Sequence, residues 1–509
     1  MIQVHLSDWP WRVVRRLAGE RGVRAWPVGG AVRDALLHRP VHDWDFGVDR
    51  DALGLARAVA DALDGAYFPL DTERDAGRVV LMAADGARLE LDFAALRGAD
   101  RSAERSRRSL KADLLARDFT VNALALDETG TLIDPTGGAG DLEARRIRAT
   151  NEHVFRDDPV RLLRAVRMEA ELGFEIEPQT AAWMSRDAPL LALPSAERVR
   201  DEFTRVMATQ RAVIHLQRCD EFGLLPYVAP ELEYLKGVTQ SPPHRFDVWR
   251  HTLLVVDALE GVVAAVAGRE VGPCVLADVP PAAWGDLARV LGQFASDVTA
   301  HLAVETNGGR NRALLLKMAA LLHDVGKPET WSQGEDGRIH FYNHEPVGAR
   351  IAATRLQALR FGRDEVRRVH VMVEGHLRPA HLARAEKVTR RAVYRYFRAT
   401  GDAGVEVALL SLADRLATWG PHLQGYRWPR HLEVAEMLLT HYLERYEETI
   451  APPPLVTGHD LMAELGLEPG PEIGRLLEAL REAQAAGEVG TREEALALAR
   501  QDLRTMNSN

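Results

Sequence analysis

Two aspartates near the start of the chain, separated by one residue, are the first candidates for chemistry. Asp43 and Asp45 lie on either side of Trp44 in a short stretch that predicts a strand. In a strand, residues i and i+2 project from the same face, so both carboxylates would point together. Neighbouring carboxylates repel each other unless cations lie between them, and Mg²⁺ prefers oxygen ligands. The pair therefore predicts a site for divalent metal, and two Mg²⁺ ions can hold the attacking and leaving oxygens of a phosphoryl or nucleotidyl transfer.

A third carboxylate and a pair of glycines would complete such a site. Asp92, in a predicted strand over Leu89–Phe93, is our candidate for the third carboxylate, and Glu90, which has the same facing, is the alternative. Gly29 and Gly30 lie between a short predicted strand and a predicted helix. Glycines there let backbone N–H groups approach a phosphate, and a helix N-terminus favours an anion. A Gly-Gly turn alone is weak evidence, so this interpretation depends on the carboxylates.

The composition restricts the class of protein to which these residues can belong. The chain has 509 residues and a net charge of −10, which argues against an overall basic surface, although a local basic face would suffice for RNA. Arg97–Arg117 is such a segment, interpreted either as a solvated loop or as a face for RNA or nucleotide. Neither an apolar run of about 20 residues nor a secretory leader is recognisable. Cys219 and Cys274 are the only cysteines, which predicts neither a disulfide framework nor a thiolate metal site. We expect a cytoplasmic protein without a membrane partner.

The pattern of elements predicts a multidomain fold, with a mixed α/β head followed by helical domains. After Asn151 the spacing of apolar residues is almost wholly helical, as in the helix predicted over Asp157–Leu172. We expect an α/β head (mixed sheet with helices) over residues 1–150, an all-α neck over 151–240, an all-α domain over 241–425 and a short helical tail over 426–509. The strands predicted for the head are Trp26–Val28, Trp44–Val48, Arg78–Ala83 and Leu89–Phe93.

The order of motifs over about residues 20–230 resembles one family. A Gly-Gly turn with Arg33 and Asp34, then the two spaced aspartates, then a carboxylate on a later strand resemble the nucleotidyltransferase superfamily. The segments that follow resemble more narrowly the class II tRNA nucleotidyltransferases and bacterial poly(A) polymerases. In one of them Ala116 stands where the family usually has an Arg, a departure at one phosphate or RNA contact. These segments read RDFTVNAL from Arg117, IDPTGGAGDLEARRIR from Ile133, DDPVRLLRAVR from Asp157 and ERVRDEFTRVM from Glu197.

The resemblance implies a role for each matched residue. Asp43 and Asp45 would hold two Mg²⁺ ions, while Asp92 would ligate one and orient or deprotonate the RNA 3′-hydroxyl that attacks CTP or ATP. Asp158 and Arg161, three apart on the predicted helix, would read the Watson–Crick edge of C or A in place of a template. The remaining implied nucleotide contacts are Gly29, Gly30 and Arg33 to the triphosphate, Asp118 and Asn122 to the ribose, Arg117 to a phosphate or RNA, and Arg164 to a triphosphate or to Asp158. We interpret Asp34 as structural.

A second stretch, MAALLHDVGKP from Met318, resembles the HD phosphohydrolase superfamily, because an apolar helix bears an adjacent His-Asp pair and ends in a glycine. The resemblance implies a divalent metal, and imidazole with carboxylate suits Ni, Mn, Co, Fe or Mg. It also implies hydrolysis of 2′,3′-cyclic phosphates or 2′-phosphomonoesters. Lys327 is interpreted either as a phosphate contact or as a favourable charge at a helix end. The implied ligands are His251, His323, Asp324, His344, His376 and Asp414.

We therefore expect an enzyme that adds C, A or CCA to the 3′ end of tRNA, with tRNA, CTP and ATP as its partners. One alternative is a poly(A) polymerase, which the HD domain and the tail disfavour. Another is an HD phosphohydrolase whose head only binds RNA, which the intact carboxylates disfavour. The tail, Leu455–Ala499, resembles the C-terminal module of HD-bearing CCA-adding enzymes, where it is thought to lie along the tRNA.

Several features stay open at this level. The gap of 72 residues between His251 and His323 (323 − 251) is longer than we expect for an HD domain. Residues 271–311 therefore resemble an insertion, which could be a disordered loop, an extra helical hairpin or a dimer contact. The sequence decides neither the oligomeric state nor whether the product is CCA, CC or A alone.

Overall fold

The computed structural model describes residues 9–41, 43–82, 88–96, 110–272, 274–425 and 427–507. Most of the basic segment Arg97–Arg117 therefore lies outside the described residues. The chain forms two compact units: Met1–Ser195 with Glu221–Leu224, and Ala196–Asp220 with Leu225–Asn509. The finer division into four domains stays a prediction. Among the described residues, no helix has the length and apolar character needed to cross a membrane.

A seven-stranded mixed sheet forms the centre of the first unit. Its strands are β1 (Ala25–Val28), β2 (Asp43–Val48), β3 (Ala66–Asp71), β4 (Ala76–Met82), β5 (Arg88–Ala95), β6 (Ala125–Leu126) and β7 (Leu132–Ile133). They lie in the order β3-β4-β5-β2-β1-β6-β7, with β2 and β5 parallel and the other neighbours antiparallel. The sequence predicted the four central strands. It missed the three towards the edges, because β3 is mostly exposed and β6 and β7 have two residues each, so none shows a clear alternation.

Helices surround this sheet and continue into the rest of the first unit. They are α1 (Trp9–Glu20), α2 (Gly30–Leu36), α3 (Ala52–Leu63), α4 (Leu110–Leu115), α5 (Gly138–Glu143), α6 (Val154–Asp157), α7 (Arg161–Leu172) and α8 (Pro178–Asp187). A short parallel pair, β8 (Arg146–Ile147) with β9 (Glu175–Ile176), lies beyond the sheet. The predicted mixed α/β head is confirmed.

The alternation of β2 separates the core from the candidate site. Trp44 and Phe46 are buried, and their rings stack with centroids 5.9 Å apart, while Phe46 stacks on Phe93 of β5 at 5.0 Å. Apolar residues of α1 and α3 pack into the same cluster. Because successive side chains of a strand point to opposite faces, Asp43 and Asp45 project away from this core.

The helix predicted over Asp157–Leu172 is interrupted, which corrects one prediction. α6 ends at Asp157, Asp158 has an extended backbone with φ −152° and ψ 97°, and α7 begins at Arg161. The physical reason is Pro159, because a proline ring drives the residue before it out of the helical region. The expectation that Asp158 and Arg161 share one helical face is therefore wrong.

The second unit is almost wholly helical, as predicted. The helices from residue 196 onward are α9 (Ala196–Ala208), α10 (Ala212–Glu221), α11 (Leu225–Val228), α12 (Val248–Val266), α13 (Pro281–Leu291), α14 (Ala295–Ala303), α15 (Arg312–Leu322), α16 (His344–Ala358), α17 (Arg363–Gly375), α18 (Arg378–Arg384), α19 (Arg390–Thr400), α20 (Gly404–Trp419), α21 (Trp428–Leu443), α22 (Gly458–Leu465), α23 (Pro471–Ala486) and α24 (Arg492–Asn507). A small antiparallel hairpin, β10 (Trp331–Gln333) with β11 (Ile339–Phe341), departs from the all-α expectation.

Residues 271–311 contain the helices α13 and α14, so of the three forms left open the helical one is observed. The carboxylate of Asp257 on α12 accepts backbone N–H groups of Val275, Leu276 and Ala277 at 3.2, 2.7 and 2.8 Å. The ring of Trp284 on α13 lies against Gly261, where a Cβ would come within 2.6 Å of it. The segment is thus attached to α12 at both of these points.

Candidate active sites

Carboxylates converge on the exposed face of β2 and β5, as the sequence predicted. In the parallel register Asp43 lies opposite Glu90, and Asp45 lies opposite Asp92. Asp45 keeps a solvent-accessible side, yet desolvation by the surrounding protein raises its pKa. The charges of Asp92 and Asp43 raise the pKa further, while Arg117 lowers it. Acids that repel each other in this way fit a divalent cation, which would relieve the repulsion.

An arginine that sequence reasoning missed contacts the candidate third carboxylate. Arg78 on β4 donates from two nitrogens to the two oxygens of Asp92 at 2.7 and 2.8 Å, and its third nitrogen lies 2.6 Å from Glu90. Forked pairs of this kind are among the strongest charged hydrogen bonds. The signal for Arg78 was its charge within an otherwise apolar strand. Its role required the register of β4 on β5, which places it opposite Asp92.

The glycine turn forms a narrow space beside these carboxylates. Gly29 has φ 71°, and a Cβ there would come within 2.6 Å of a guanidinium nitrogen of Arg117 and 3.4 Å of an oxygen of Asp45. A Cβ at Gly30 would lie 3.5 Å from a nitrogen of Arg33. Two guanidinium groups and one carboxylate therefore lie close to the backbone of the turn, where the glycines have no side chains. This arrangement fits an anion such as a triphosphate together with its cation.

Asp118 is the centre of a second polar group on the first unit. Asp118 is buried and accepts hydrogen bonds from Arg164 at 3.1 Å and from Asn122 at 3.0 Å. Burial alone would raise the pKa of Asp118, but Arg164 and Asn122 outweigh it and hold that pKa below its usual value. Arg33 donates to Asn122 at 2.8 Å and pairs with both oxygens of Asp34 at 2.9 Å. Arg164, which the sequence assigned to a triphosphate or to Asp158, thus contacts Asp118.

The residues predicted to read the base lie next to each other in a turn. The N–H of Arg161 donates to the carbonyl of Asp158 at 3.1 Å. The Arg161 side chain is buried and donates to the carbonyls of Val154 and Ala116, both at 3.3 Å. Ala116 is the position where the family usually has an arginine, and here its backbone contacts Arg161.

The six predicted HD ligands converge in the second unit. They form two groups of three residues, and within each group the candidate ligand atoms lie within 4.8 Å of one another. Three helices, α12, α16 and α20, supply one ligand each, while His323 and Asp324 follow α15 directly and His376 follows α17. The groups are His251, His323 and Asp414, and Asp324, His344 and His376.

Backbone carbonyls fix the orientation of three of these histidines. The Nδ1 atoms of His323, His344 and His376 each donate to the carbonyl three residues earlier, at 2.9, 2.8 and 2.7 Å. This leaves each Nε2 as the unprotonated ligand atom. Among the described residues, the buried Nε2 atoms of His323 and His344 have no well-oriented hydrogen-bond partner. A divalent cation would satisfy them, so the residues fit a metal site.

The electrostatics of the cluster favour the ligating forms of His376 and Asp324. At His323 burial would lower the pKa, but the charge of Asp324 outweighs it and raises that pKa. Burial lowers the pKa of His376 to about 3, with help from His323 and His344. Burial alone would raise the pKa of Asp324, but the charges of His323 and Lys327 hold it well below its usual value. Neutral imidazole and ionised carboxylate are the forms that bind metals.

Two further side chains accompany this cluster, and the sequence missed the first. His244 lies edge-on to His251 with ring centroids 5.0 Å apart, and burial lowers its pKa to about 3. The only signal was a His directly after two prolines, in a segment interpreted as a domain boundary. Lys327 is buried with its Nζ 2.6 Å from Asp324, and it donates to Gln240 at 2.6 Å. Lys327 thus pairs with a predicted ligand, and both of its interpretations stay predictions.

Models of known protein families match successive parts of the chain. The Poly A polymerase head domain matches residues 25–148, and the probable RNA and SrmB-binding site of polymerase A matches 173–235. The HD domain matches 290–419, a range that leaves His251 outside. A putative tRNA nucleotidyltransferase domain 2 matches 441–499.

Curated relatives are similar over nearly their whole length. The A-adding tRNA nucleotidyltransferase of Deinococcus radiodurans is 35% identical over 92% of this chain and 93% of its own. The CC-adding tRNA nucleotidyltransferase of Thermus thermophilus is 36% identical over 93% of this chain and 92% of its own. A solved CCA-adding enzyme in complex with ATP shares the fold, with a TM-score of 0.60 at 18% identity over 97% of this chain and 94% of that chain.

Proposed function

The chain belongs to the tRNA nucleotidyltransferase family, and we propose that it adds C or A residues to tRNA 3′ ends from CTP or ATP without a nucleic-acid template. The main support is the meeting of Asp43, Asp45 and Asp92 on one exposed sheet face beside the Gly29 turn. The A-adding and CC-adding relatives, similar over more than 90% of the chain, support tRNA as the substrate.

The head residues then divide the work of nucleotidyl transfer. Divalent cations, for which we propose Mg²⁺, supply the positive charge that lets a triphosphate approach the acids. Asp43 and Asp45 would hold these cations, and Arg117 would bind the triphosphate over the turn at Gly29. Asp92 orients the 3′-hydroxyl of the tRNA and accepts its proton as that oxygen attacks the α-phosphate and pyrophosphate leaves.

Nucleotide selection belongs to the helical part of the first unit. Asp118 and Asn122 bind the ribose, and Arg164 keeps Asp118 ionised and in place. Asp158 and Arg161 read the Watson–Crick edge, the acid by accepting from an exocyclic amine and the guanidinium by donating to base acceptors. Because Arg161 now donates to backbone carbonyls, it must exchange these hydrogen bonds for those of the base.

A second function belongs to the HD cluster, where two groups of three ligands support a metal-dependent phosphohydrolase. A divalent ion such as Ni, Mn, Co, Fe or Mg would polarise a phosphoester there, and the two groups support two ions. The substrates proposed are 2′,3′-cyclic phosphates and 2′-phosphomonoesters at RNA 3′ ends. Lys327, beside Asp324, supplies a positive charge for the phosphate.

The four-part division follows from these roles. Residues 1–150 carry the transfer chemistry, 151–240 the base recognition, 241–425 the hydrolase centre and 426–509 a helical tail that contacts tRNA. A cytoplasmic location suits these substrates.

The test uses purified protein, Mg²⁺ and a tRNA transcript that ends at the discriminator base. CTP, ATP or both are supplied, and products are resolved at single-nucleotide steps. Addition of CCA, of CC, or of A only to a CC-ended transcript supports the proposal and names the specificity. A long A tail on unrelated RNA would support a poly(A) polymerase instead. No extension, with hydrolysis of 2′,3′-cyclic nucleotides intact, would leave only the hydrolase.

A further inference from the structure

The β10–β11 hairpin has two different faces. Its register pairs Trp331 with Phe341 and Ser332 with His340. Because side chains alternate across a strand, Trp331 and Phe341 share one face, and His340 lies on the other. Tyr342 stacks on His340 with ring centroids 5.2 Å apart, so it belongs to that second face.

The face that bears Trp331 is the one that contacts the HD cluster. The ring of Phe341 lies 5.4 Å from the Nζ of Lys327, which is 2.6 Å from the ligand Asp324. The carbonyl of Phe341 also accepts the Nδ1–H of His344, another ligand, at 2.8 Å. Trp331 is the cross-strand partner of Phe341 and therefore lies beside it on this face.

Trp331 is also unusually exposed for its size. Its residue surface is 47% accessible, although large apolar side chains tend to be covered. Among the ligands themselves, His323 and His376 are at most 1% exposed. An indole that stays open on the hairpin beside a closed, charged centre presents a flat apolar surface to any ligand that approaches that side. Nucleobases stack on such surfaces regardless of their sequence.

We infer that Trp331 is a stacking wall for a nucleobase, so that the HD centre takes phosphoesters of nucleosides in preference to phosphoesters without a base. The inference rests on the proposed hydrolase function of that centre and adds the residue that selects its substrate. It assigns the phosphate to the metal ligands and Lys327, and the base to the indole face.

The experiment compares two phosphomonoesters of secondary alcohols that differ in having a base. Full-length protein loaded with Mn²⁺ is assayed for the hydrolysis of adenosine 2′-monophosphate by water to adenosine and phosphate, and of glycerol 2-phosphate by water to glycerol and phosphate. Trp331→Ala is expected to raise KM for the nucleotide about tenfold or more and to leave glycerol 2-phosphate unchanged. Trp331→Phe should restore most of the loss, since it keeps an aromatic face. Tyr342→Ala, on the opposite face of the same hairpin, is the matched control and should change neither substrate.

Calorimetric binding of both compounds to the same proteins gives a second readout. Weaker binding of the nucleotide alone to Trp331→Ala supports the stacking wall even if neither compound is hydrolysed, a result that would count against the hydrolase function. Equal losses for both compounds would mean that Trp331 only maintains the fold of the hairpin. No loss for either compound would also overturn the inference.

Discussion

The two centres of this protein differ in how far their charged and metal-binding side chains are exposed to solvent. In the head, Asp43 and Asp45 are exposed side chains on a sheet face, and Arg78 and Arg117 accompany the acids. In the HD cluster the ligands are buried or nearly so, and backbone carbonyls fix the Nδ1–H groups of three histidines. The first site therefore leaves room for cations that arrive with a nucleotide. The second presents a complete set of ligands before any substrate arrives.

This difference follows from the elements that supply the ligands. Strand residues at i and i+2 place two acids on one open surface with no further folding requirement. The HD ligands come from elements far apart in sequence, and their close approach requires a packed helical core. Mg²⁺ sites with few protein carboxylates and substrate phosphates exchange readily, whereas preformed imidazole sites retain their metal. We therefore expect that in solution the head exchanges its cations readily and the HD cluster retains its metal.

Substitution of the paired aspartates should have the largest effect. Asp43→Asn and Asp45→Asn each remove a negative charge that holds the cations, so tRNA extension should fall about a hundredfold to a thousandfold. Single-turnover extension of a tRNA transcript measures this. Asp61→Asn, on an exposed turn of α3, is the control and should extend at the wild-type rate. Retention of activity in both site variants would show that this face is not the transfer site.

Loss of one buried imidazole should reduce the metal bound at the HD cluster and leave the cation site of the head unaffected. His323→Ala removes a ligand whose Nδ1–H is already fixed, so affinity for the HD metal should fall about tenfold to a hundredfold. Metal analysis after dialysis against a mild chelator should find metal in the wild-type protein and much less in the variant. His340→Ala on the nearby hairpin should resemble wild type. If dialysis strips the wild-type protein completely, the contrast between the centres is wrong.

Substitution of Arg78, which donates two hydrogen bonds to Asp92, should have a smaller effect on the rate of extension. Arg78→Met leaves Asp92 without its two hydrogen bonds, so we expect kcat of extension to fall about tenfold while KM for the nucleotide changes little. Arg78→Lys should recover only part of this, because an ammonium cannot form the fork. A rise in KM with kcat unchanged would instead make Arg78 a nucleotide contact.

The smallest expected effect concerns the stability of the attachment between α12 and the inserted segment 271–311. Asp257→Asn weakens three hydrogen bonds from backbone N–H groups to a buried carboxylate, so the free energy of unfolding should fall by about 1 to 2 kcal/mol. Urea denaturation measures this. Asp286→Asn, which breaks an exposed pair with Arg289, should change it far less. Equal effects of the two substitutions would mean that Asp257 does not attach the insertion.

The sequence predicted those parts of the molecule that local spacing determines. The i, i+2 aspartates required only a strand, and β2, β4 and β5 alternate in burial over part of their length because one of their faces is buried. The order of the HD motifs indicated all six ligands, and the structure brings them together.

Features that depend on contacts between distant residues were not predictable in this way. Arg78 acquires its role only from the register of β4 on β5, and His244 from the packing of its segment against α12. The break at Asp158 differs from these. Pro159 is visible in the sequence, and the restriction that a proline places on its predecessor outweighs the helical spacing of the apolar residues at this point.

The assignment of transfer to the head and hydrolysis to the HD cluster is tested by measuring both reactions in variants of both centres. Wild type, Asp43→Asn with Asp45→Asn, and His323→Ala are each assayed for tRNA extension with CTP and ATP and for hydrolysis of 2′,3′-cyclic AMP. We expect the head variant to lose extension and keep hydrolysis, and the HD variant to lose hydrolysis and keep extension. Extension by the head variant at the wild-type rate, or loss of both reactions from either substitution in a folded protein, would contradict this assignment.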